Sequence, residues 1–165
     1  MMWKVSSGLI CASVLILAGC RQPDGQVPTP DAVVSEELGD DARDLQYIAN
    51  ARDPEAPKNL ADDLRKYAQP SSAVPAVDEL SRRTAGVLAG SQLTEQAAQR
   101  LTHNLWLSVA ARDISERQIE SLQNDTHSLL VSVGISEDRA EQVAVQVGEV
   151  QRAVTGRPRR WYELF

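Results

Sequence analysis

Cysteine is nearly absent from this chain of 165 residues: there are two, Cys11 and Cys20. Beyond Cys20 there is no thiol, which excludes disulfides, thiol redox catalysis and cysteine-ligated zinc from the rest of the chain. Aromatic residues make up only 4%. A core must therefore be built from Leu, Val, Ile and Ala, which suits helices better than a sandwich of period-two, β-branched and aromatic strands. Histidine is equally scarce. His103 and His127 fall on different predicted helices, His103 off the apolar face and so expected to be exposed, and no metal site is expected. There is no Gly-rich phosphate loop, no Gly-x-Ser-x-Gly and no His-Glu-x-x-His, and no pair of carboxylates stands out for acid–base work. No catalytic residue and no cofactor is expected. Basic residues are outnumbered, with a formal charge of −6. That excludes the basic footprint of a nucleic-acid binder.

What is present begins with a targeting pattern. Residues 1–7 carry one cation, Lys4, and Gly8 to Leu17 is almost wholly apolar. The stretch is too short for a comfortable membrane span, which takes about 20 residues. A positive start, a short apolar run and small residues at its end form a secretory signal. The closing residues, Leu17-Ala18-Gly19-Cys20, resemble the bacterial lipobox. The resemblance implies that residues 1–19 are a signal peptide cut before Cys20. It also implies that Cys20 carries a diacylglyceryl group on sulfur and an acyl chain on its amine. In the enterobacterial sorting rule, Asp after the cysteine retains a lipoprotein at the inner membrane. Here the residue is Arg21, which implies the outer membrane, with the domain facing the periplasm.

Residues 20–32 hold Pro23, Gly25, Pro28 and Pro30 without apolar periodicity and read as a flexible tether. Ten extended residues at roughly 3.1 Å each would lift a domain about 30 Å from the lipid surface. Residues 33–69 form an acidic region expected to be helical in two pieces. Val34, Leu38, Ala42, Leu45 and Ala49 have helical spacing; Asp53-Pro54 and Ala56-Pro57 interrupt; Leu60, Leu64 and Tyr67 resume. The ten acids and five bases between Asp31 and Lys66 are either a docking face or a solvated helix surface.

Residues 75–156 carry a repeat. A first helix is expected from Pro75, with Val77, Leu80, Thr84, Val87 and Leu88 on one face and Gly90 at its end. Then Leu93-Thr94-Glu95, Ile114-Ser115-Glu116 and Ile135-Ser136-Glu137 recur every 21 residues. In each triplet Ser or Thr is a helix N-cap, Glu favours the positive end of the helix dipole, and the preceding apolar residue can pack onto the first turn. The columns Ala98/Ile119/Ala140, Leu101/Leu122/Val143, Leu105/Thr126/Val147 and Ser108/Leu129/Val150 advance in steps of three and four, one face of a helix. Val133 and Val154 end two of the rows, where the first has Arg112. A 21-residue period is one helix of about 17 residues plus a short loop, too short for a two-helix solenoid repeat. Gly134 and Gly156, the latter followed by Pro158, are expected C-terminal stops.

Ile114-Ser115-Glu116-Arg117-Gln118 is also similar to the Leu-Thr-x-x-Gln motif of the Spy and CpxP family of periplasmic helical stress proteins. Leu93-Thr94-Glu95-Gln96-Ala97 matches its first two positions and departs at Ala97. The resemblance implies a chaperone or stress-sensor role. Residues 157–165 form a basic, aromatic tail, in which Arg157, Arg159 and Arg160 precede Trp161 and Tyr162, and the chain's single Phe is Phe165. Either Trp161 and Phe165 fold back to complete the core, or Arg157, Arg159, Arg160, Trp161 and Tyr162 anchor a partner or lipid headgroups.

The expected fold is all-α: a small up-down bundle of about four helices, plus one or two N-terminal helices, on a flexible tether. The expected role is a non-catalytic, pilotin-like module. It would be held to membrane lipids through Cys20 and would bind an envelope protein. A Spy/CpxP-type protein and an immunity lipoprotein are the alternatives, and an enzyme with a site assembled only in three dimensions is a further class.

Overall fold

The computed structural model describes residues 35–156, with side chains from Leu38 onward. Cys20 and the tail 157–165 therefore lie outside the described residues. The described chain is all-α, with six helices and no strand. These are α1 (Ser35–Ala49), α2 (Ala56–Tyr67), α3 (Val74–Leu88), α4 (Glu95–Ala110), α5 (Glu116–Ser132) and α6 (Glu137–Thr155). None of them is long and apolar enough to cross a membrane.

The 21-residue repeat corresponds to α4, α5 and α6. All four columns are buried, and Ala98, Leu101, Leu105, Ile119, Leu122, Ala140, Val143, Val147 and Val150 lose all contact with solvent. The residues before the caps, Leu93, Ile114 and Ile135, are buried as well. Gly134 closes α5 in the left-handed conformation (φ 87°). Its N–H donates to Val131 O and that of Ile135 to Leu130 O, the paired bonds of a Schellman stop. A side chain at Gly134 would be strained at that φ, which is why glycine stands there.

The three caps are not equivalent. Thr94 Oγ1 accepts from Ala97 N, and Ser115 forms a full capping box with Gln118. Ser136, expected to cap α6 in the same way, makes no side-chain cap bond. Position three of that helix is Arg139, which turns away to donate to the carbonyls of Gly86 and Val87 at the end of α3. Ser115→Ala should therefore cost about 0.5–2 kcal/mol, whereas Ser136→Ala should change stability by only a few tenths. Paired urea melts check the difference, and equal losses would contradict this account of the two caps.

The acidic N-terminal region is not an appendage. Leu45, Leu60 and Leu64 are as buried as the repeat columns, and a single hydrophobic cluster runs from Ala42 to Val154. In the packing, α1 lies against α2 and α4, while α6 lies against α3, α4 and α5. Helix α4 rests on α1 and α6 rather than on its predecessor α3. Because α4 is flanked on several sides, residues off its apolar stripe are buried too: Thr102, Asn104, Leu107 and Val109. The same cause corrects the expectation for His103, which is half-buried with Nδ1 out of contact with water.

Helix α1 ends in a second Schellman stop, in which Arg52 N donates to Tyr47 O and Ala51 N to Ile48 O. Here the left-handed position holds an alanine, Ala51, at φ 50°. An L side chain there is disfavoured by about 1–2 kcal/mol, and glycine avoids that clash at some cost in chain entropy. Ala51 is exposed, so its methyl group contributes little burial that glycine would forfeit. Ala51→Gly should raise stability by up to about 1 kcal/mol, read as a higher urea midpoint. A lowered midpoint would show that the left-handed turn is not what limits this helix end.

Candidate functional site

Helix α1 presents Asp40, Asp41 and Asp44 at neighbouring positions, and the second half of α2 presents Asp62, Asp63 and Lys66. Packing the two helices together brings these residues into one groove. Its deeper end is a cavity of about 140 Å³ lined by Asp40, Asp41, Asp63, Lys66, Tyr67 and Trp106. The shallower end continues along α1 and α2 past Arg43, Asp44 and Tyr47. The floor is aromatic. Tyr67 and Trp106 meet edge to face, with ring centroids 6.2 Å apart and planes at 70°, a favoured arrangement of two π-systems. Trp106 lines this cavity, and its indole N–H, itself shut off from solvent, has no acceptor among the described residues, although buried indoles usually find one.

Asp41, Asp44 and Asp63 each place a carboxylate oxygen within 4.8 Å of the others. Like charges this close cannot all ionise freely. Asp41 is only 6% exposed. Burial first, then the charge of Asp63 and a hydrogen bond shared with it, then Asp44, push its carboxyl up to about 7, with Lys66 opposing. Asp44 is raised as well, by burial and then by the charge of Asp63. Lys66 Nζ donates to Asp63 and supplies part of the compensation. Three carboxylate oxygens are the donor type for Ca²⁺ or Mg²⁺, but those ions take six or more oxygens. Here an ammonium already occupies one side of Asp63. The arrangement is better matched to a shared proton, or to an organic cation laid against the aromatic floor, than to a bare metal ion.

The proton has a consequence for stability. A carboxyl raised in the folded state above its ordinary value of 3.8 binds a proton that the unfolded chain has already released. Its stabilising contribution is complete below the unfolded value and is lost as pH rises through the folded one. The urea midpoint should therefore fall between about pH 4 and pH 7 through this group. Asp41→Asn, which keeps a neutral hydrogen-bonding side chain, should flatten that slope and raise the midpoint at pH 7.5. An identical slope in the variant would remove Asp41 from the account.

The residues singled out from sequence as sites are not among those brought together here: Cys20, Arg157, Arg159, Arg160, Trp161 and Tyr162 lie outside the described residues. His103 and His127 stand on α4 and α5 and belong to no cluster of potential metal ligands among the described residues. The groove itself was visible in sequence only as an acidic stretch. The steps of three and four between Asp40, Asp41 and Asp44 place them near one face of α1. Nothing local shows that Asp63 arrives opposite them, or that Trp106 arrives from α4. Compared with known proteins, the chain matches no family model, no curated protein and no solved structure.

Proposed function

We propose that this chain is a lipid-anchored protein of the bacterial envelope whose helical domain binds another protein rather than transforming a substrate. The observation that carries the anchor is Leu17-Ala18-Gly19-Cys20 at the end of an apolar run. Cys20 is the acceptor of the diacylglyceryl and acyl chains, and Arg21 favours the outer membrane. The first described helix begins at Ser35, fifteen residues after that cysteine. The Pro-rich stretch of the sequence lies in that interval.

The groove between α1 and α2 supports the binding role. Val145 is the only large hydrophobic residue exposed among the described residues, so recognition on this part of the surface rests on charge and hydrogen bonding. The acidic groove with its aromatic floor is the most differentiated surface of that kind, and it fits a partner presenting Arg or Lys. The experiment is crosslinking in intact cells followed by purification of the native protein. An Asp40→Lys/Asp44→Lys variant is carried through in parallel. The expected result is a discrete partner captured by the wild type and lost from the variant. Capture unchanged by the charge reversal would take the groove out of the reading.

The alternative of a Spy/CpxP-type chaperone or sensor draws on Ile114 to Gln118. Those residues form the capping box of α5, with Ser115 N donating to Gln118 Oε1 at 2.8 Å and Gln118 N to Ser115 Oγ at 3.3 Å. Their similarity to the family motif thus has a local cause in helix initiation. Suppression of the aggregation of unfolded proteins at substoichiometric concentration would favour the chaperone reading over the docking one.

A further inference from the structure

A second recess lies where the end of α3 meets the start of α6. It has a volume of about 320 Å³ and is lined by Arg82, Arg83, Gly86, Val87, Arg139 and Gln142. Among the described residues no carboxylate lines it, in a chain with 23 acids against 17 Lys and Arg. Glu79, one turn earlier on α3, accepts from Nε and Nη2 of Arg82 and from Nε of Arg83. Two guanidiniums are thereby held on one carboxylate. The terminal Nη1–Nη2 edge of Arg83 meets no acceptor among the described residues. Arg139 pairs with no acid among them. Its Nη2 donates instead to the carbonyls of Gly86 (2.7 Å) and Val87 (3.1 Å). The last turn of α3 has no basic residue of its own, so the negative end of its dipole holds a cation brought by α6. Nε and Nη1 of Arg139 are left without an acceptor among the described residues, as is the Gln142 amide. Gly86 is an independent sign. Its backbone is helical, and a β-carbon there would meet no atom within 4 Å. Neither φ nor packing calls for glycine, which weakens a helix relative to alanine. What the missing side chain leaves is open space beside the guanidiniums, the room a ligand needs to approach a backbone closely.

We propose that this recess binds a phosphate monoester, with Arg83 and Arg139 donating to its oxygens and Gly86 giving it room. Three guanidiniums less the carboxylate of Glu79 leave two positive charges. A monoester carries about −1.5 to −2 at pH 7 and matches them, whereas one carboxylate would neutralise only half. The open edge of Arg83 has the spacing to take two phosphate oxygens at once. Arg139 is held in place by the α3 carbonyls before any ligand arrives, so little of its rotamer freedom remains to be lost on binding. The same chemistry is offered by a soluble phosphate compound and by the headgroup of phosphatidic acid. The site shares no residue with the acidic groove and does not depend on Cys20. Its failure would leave both of those readings untouched.

The test follows the arginine Nε–H signals by NMR in the full chain, held in a maltoside detergent at pH 7. Inorganic phosphate, acetate and chloride are titrated at equal ionic strength, and phosphatidic acid is mixed into the micelles in a separate series. Phosphate should move the Arg83 and Arg139 signals along a saturable curve. Acetate should need at least about tenfold more for the same shift, and chloride should give no saturable shift. Gly86→Leu fills the recess while keeping every charge and placing a better helix former in α3. It should weaken phosphate binding at least about tenfold, a loss of one decade in affinity, and Arg83→Gln should do the same. Phosphatidic acid moving the same signals makes a lipid headgroup the source. Inorganic phosphate moving them alone makes the ligand a soluble monoester. The absence of a saturable shift with phosphate would overturn the proposal. So would acetate binding as tightly as phosphate, which would turn the recess towards acidic protein side chains, or phosphate binding undiminished in Gly86→Leu.

Discussion

Leu122→Ala is expected to lower the stability of the bundle by about 2–5 kcal/mol, the range for truncating a fully buried leucine. Leu122 is completely buried midway along α5, in the second column of the repeat, and belongs to the continuous core cluster. Its helix packs mainly on α6. The loss has two parts: the transfer free energy of the removed methyl groups, and the cavity left where neighbouring helices cannot collapse. Small domains are stable by only about 5–15 kcal/mol in total, so this one substitution should shift the urea midpoint markedly. Val145→Ala is the matched control. Val145 faces outward on α6 and is 38% exposed, and its truncation should stay within about 0.5 kcal/mol. An unchanged melt for Leu122→Ala would mean that the repeated columns do not form the core.

Cys20→Ser should abolish acylation altogether. The proposed anchor depends on a sulfur nucleophile, whose thiolate attacks far more readily than a serine hydroxyl at neutral pH. Each methylene buried in the membrane contributes about 0.8 kcal/mol. One chain gives reversible attachment, whereas the three of a mature lipoprotein hold it permanently. The serine variant should incorporate no labelled palmitate, and its precursor should remain uncut by the lipoprotein peptidase. Wild type should label and fractionate with the membrane after a high-salt wash. A serine variant that still labels, or that still appears as an acylated mature form, would refute the anchor. This result is independent of the groove, because it concerns residues 17–20 alone.

The two predictions sit at opposite ends of what a sequence can reveal. The burial of Leu122 was legible because helix periodicity is local. Steps of three and four, repeated three times with the same cap before each, leave one apolar face per helix, and that face must be covered by something. The all-α class follows from the same pattern, as do the breaks at Pro54 and Gly134 and the glycine ends of α3, α5 and α6. These depend on interactions within a few residues: side-chain rotamers against a turn, a cap oxygen within reach of an N–H, and a φ angle that only glycine accepts without strain.

What covers each face was decided by the tertiary structure alone. The 33–69 region has the composition of a solvated surface, yet α1 and α2 share the core, because Leu45, Leu60 and Leu64 find α3 and α4 as partners. The single-face reading failed for α4, whose neighbours on several sides bury Asn104 and much of His103. It failed at Ser136, where Arg139 serves another helix's carbonyls instead of its own N-terminus. The groove is the clearest case. Asp41, Asp63 and Trp106 come from three helices, and the carboxyl of Asp41 is raised by burial first and then by the neighbouring carboxylate of Asp63. Electrostatic and aromatic contacts act through space over a few ångströms, whereas sequence patterns report neighbours along the chain. Helices and their apolar faces could therefore be read residue by residue, but the meeting of the acids with the aromatic floor required the packed fold.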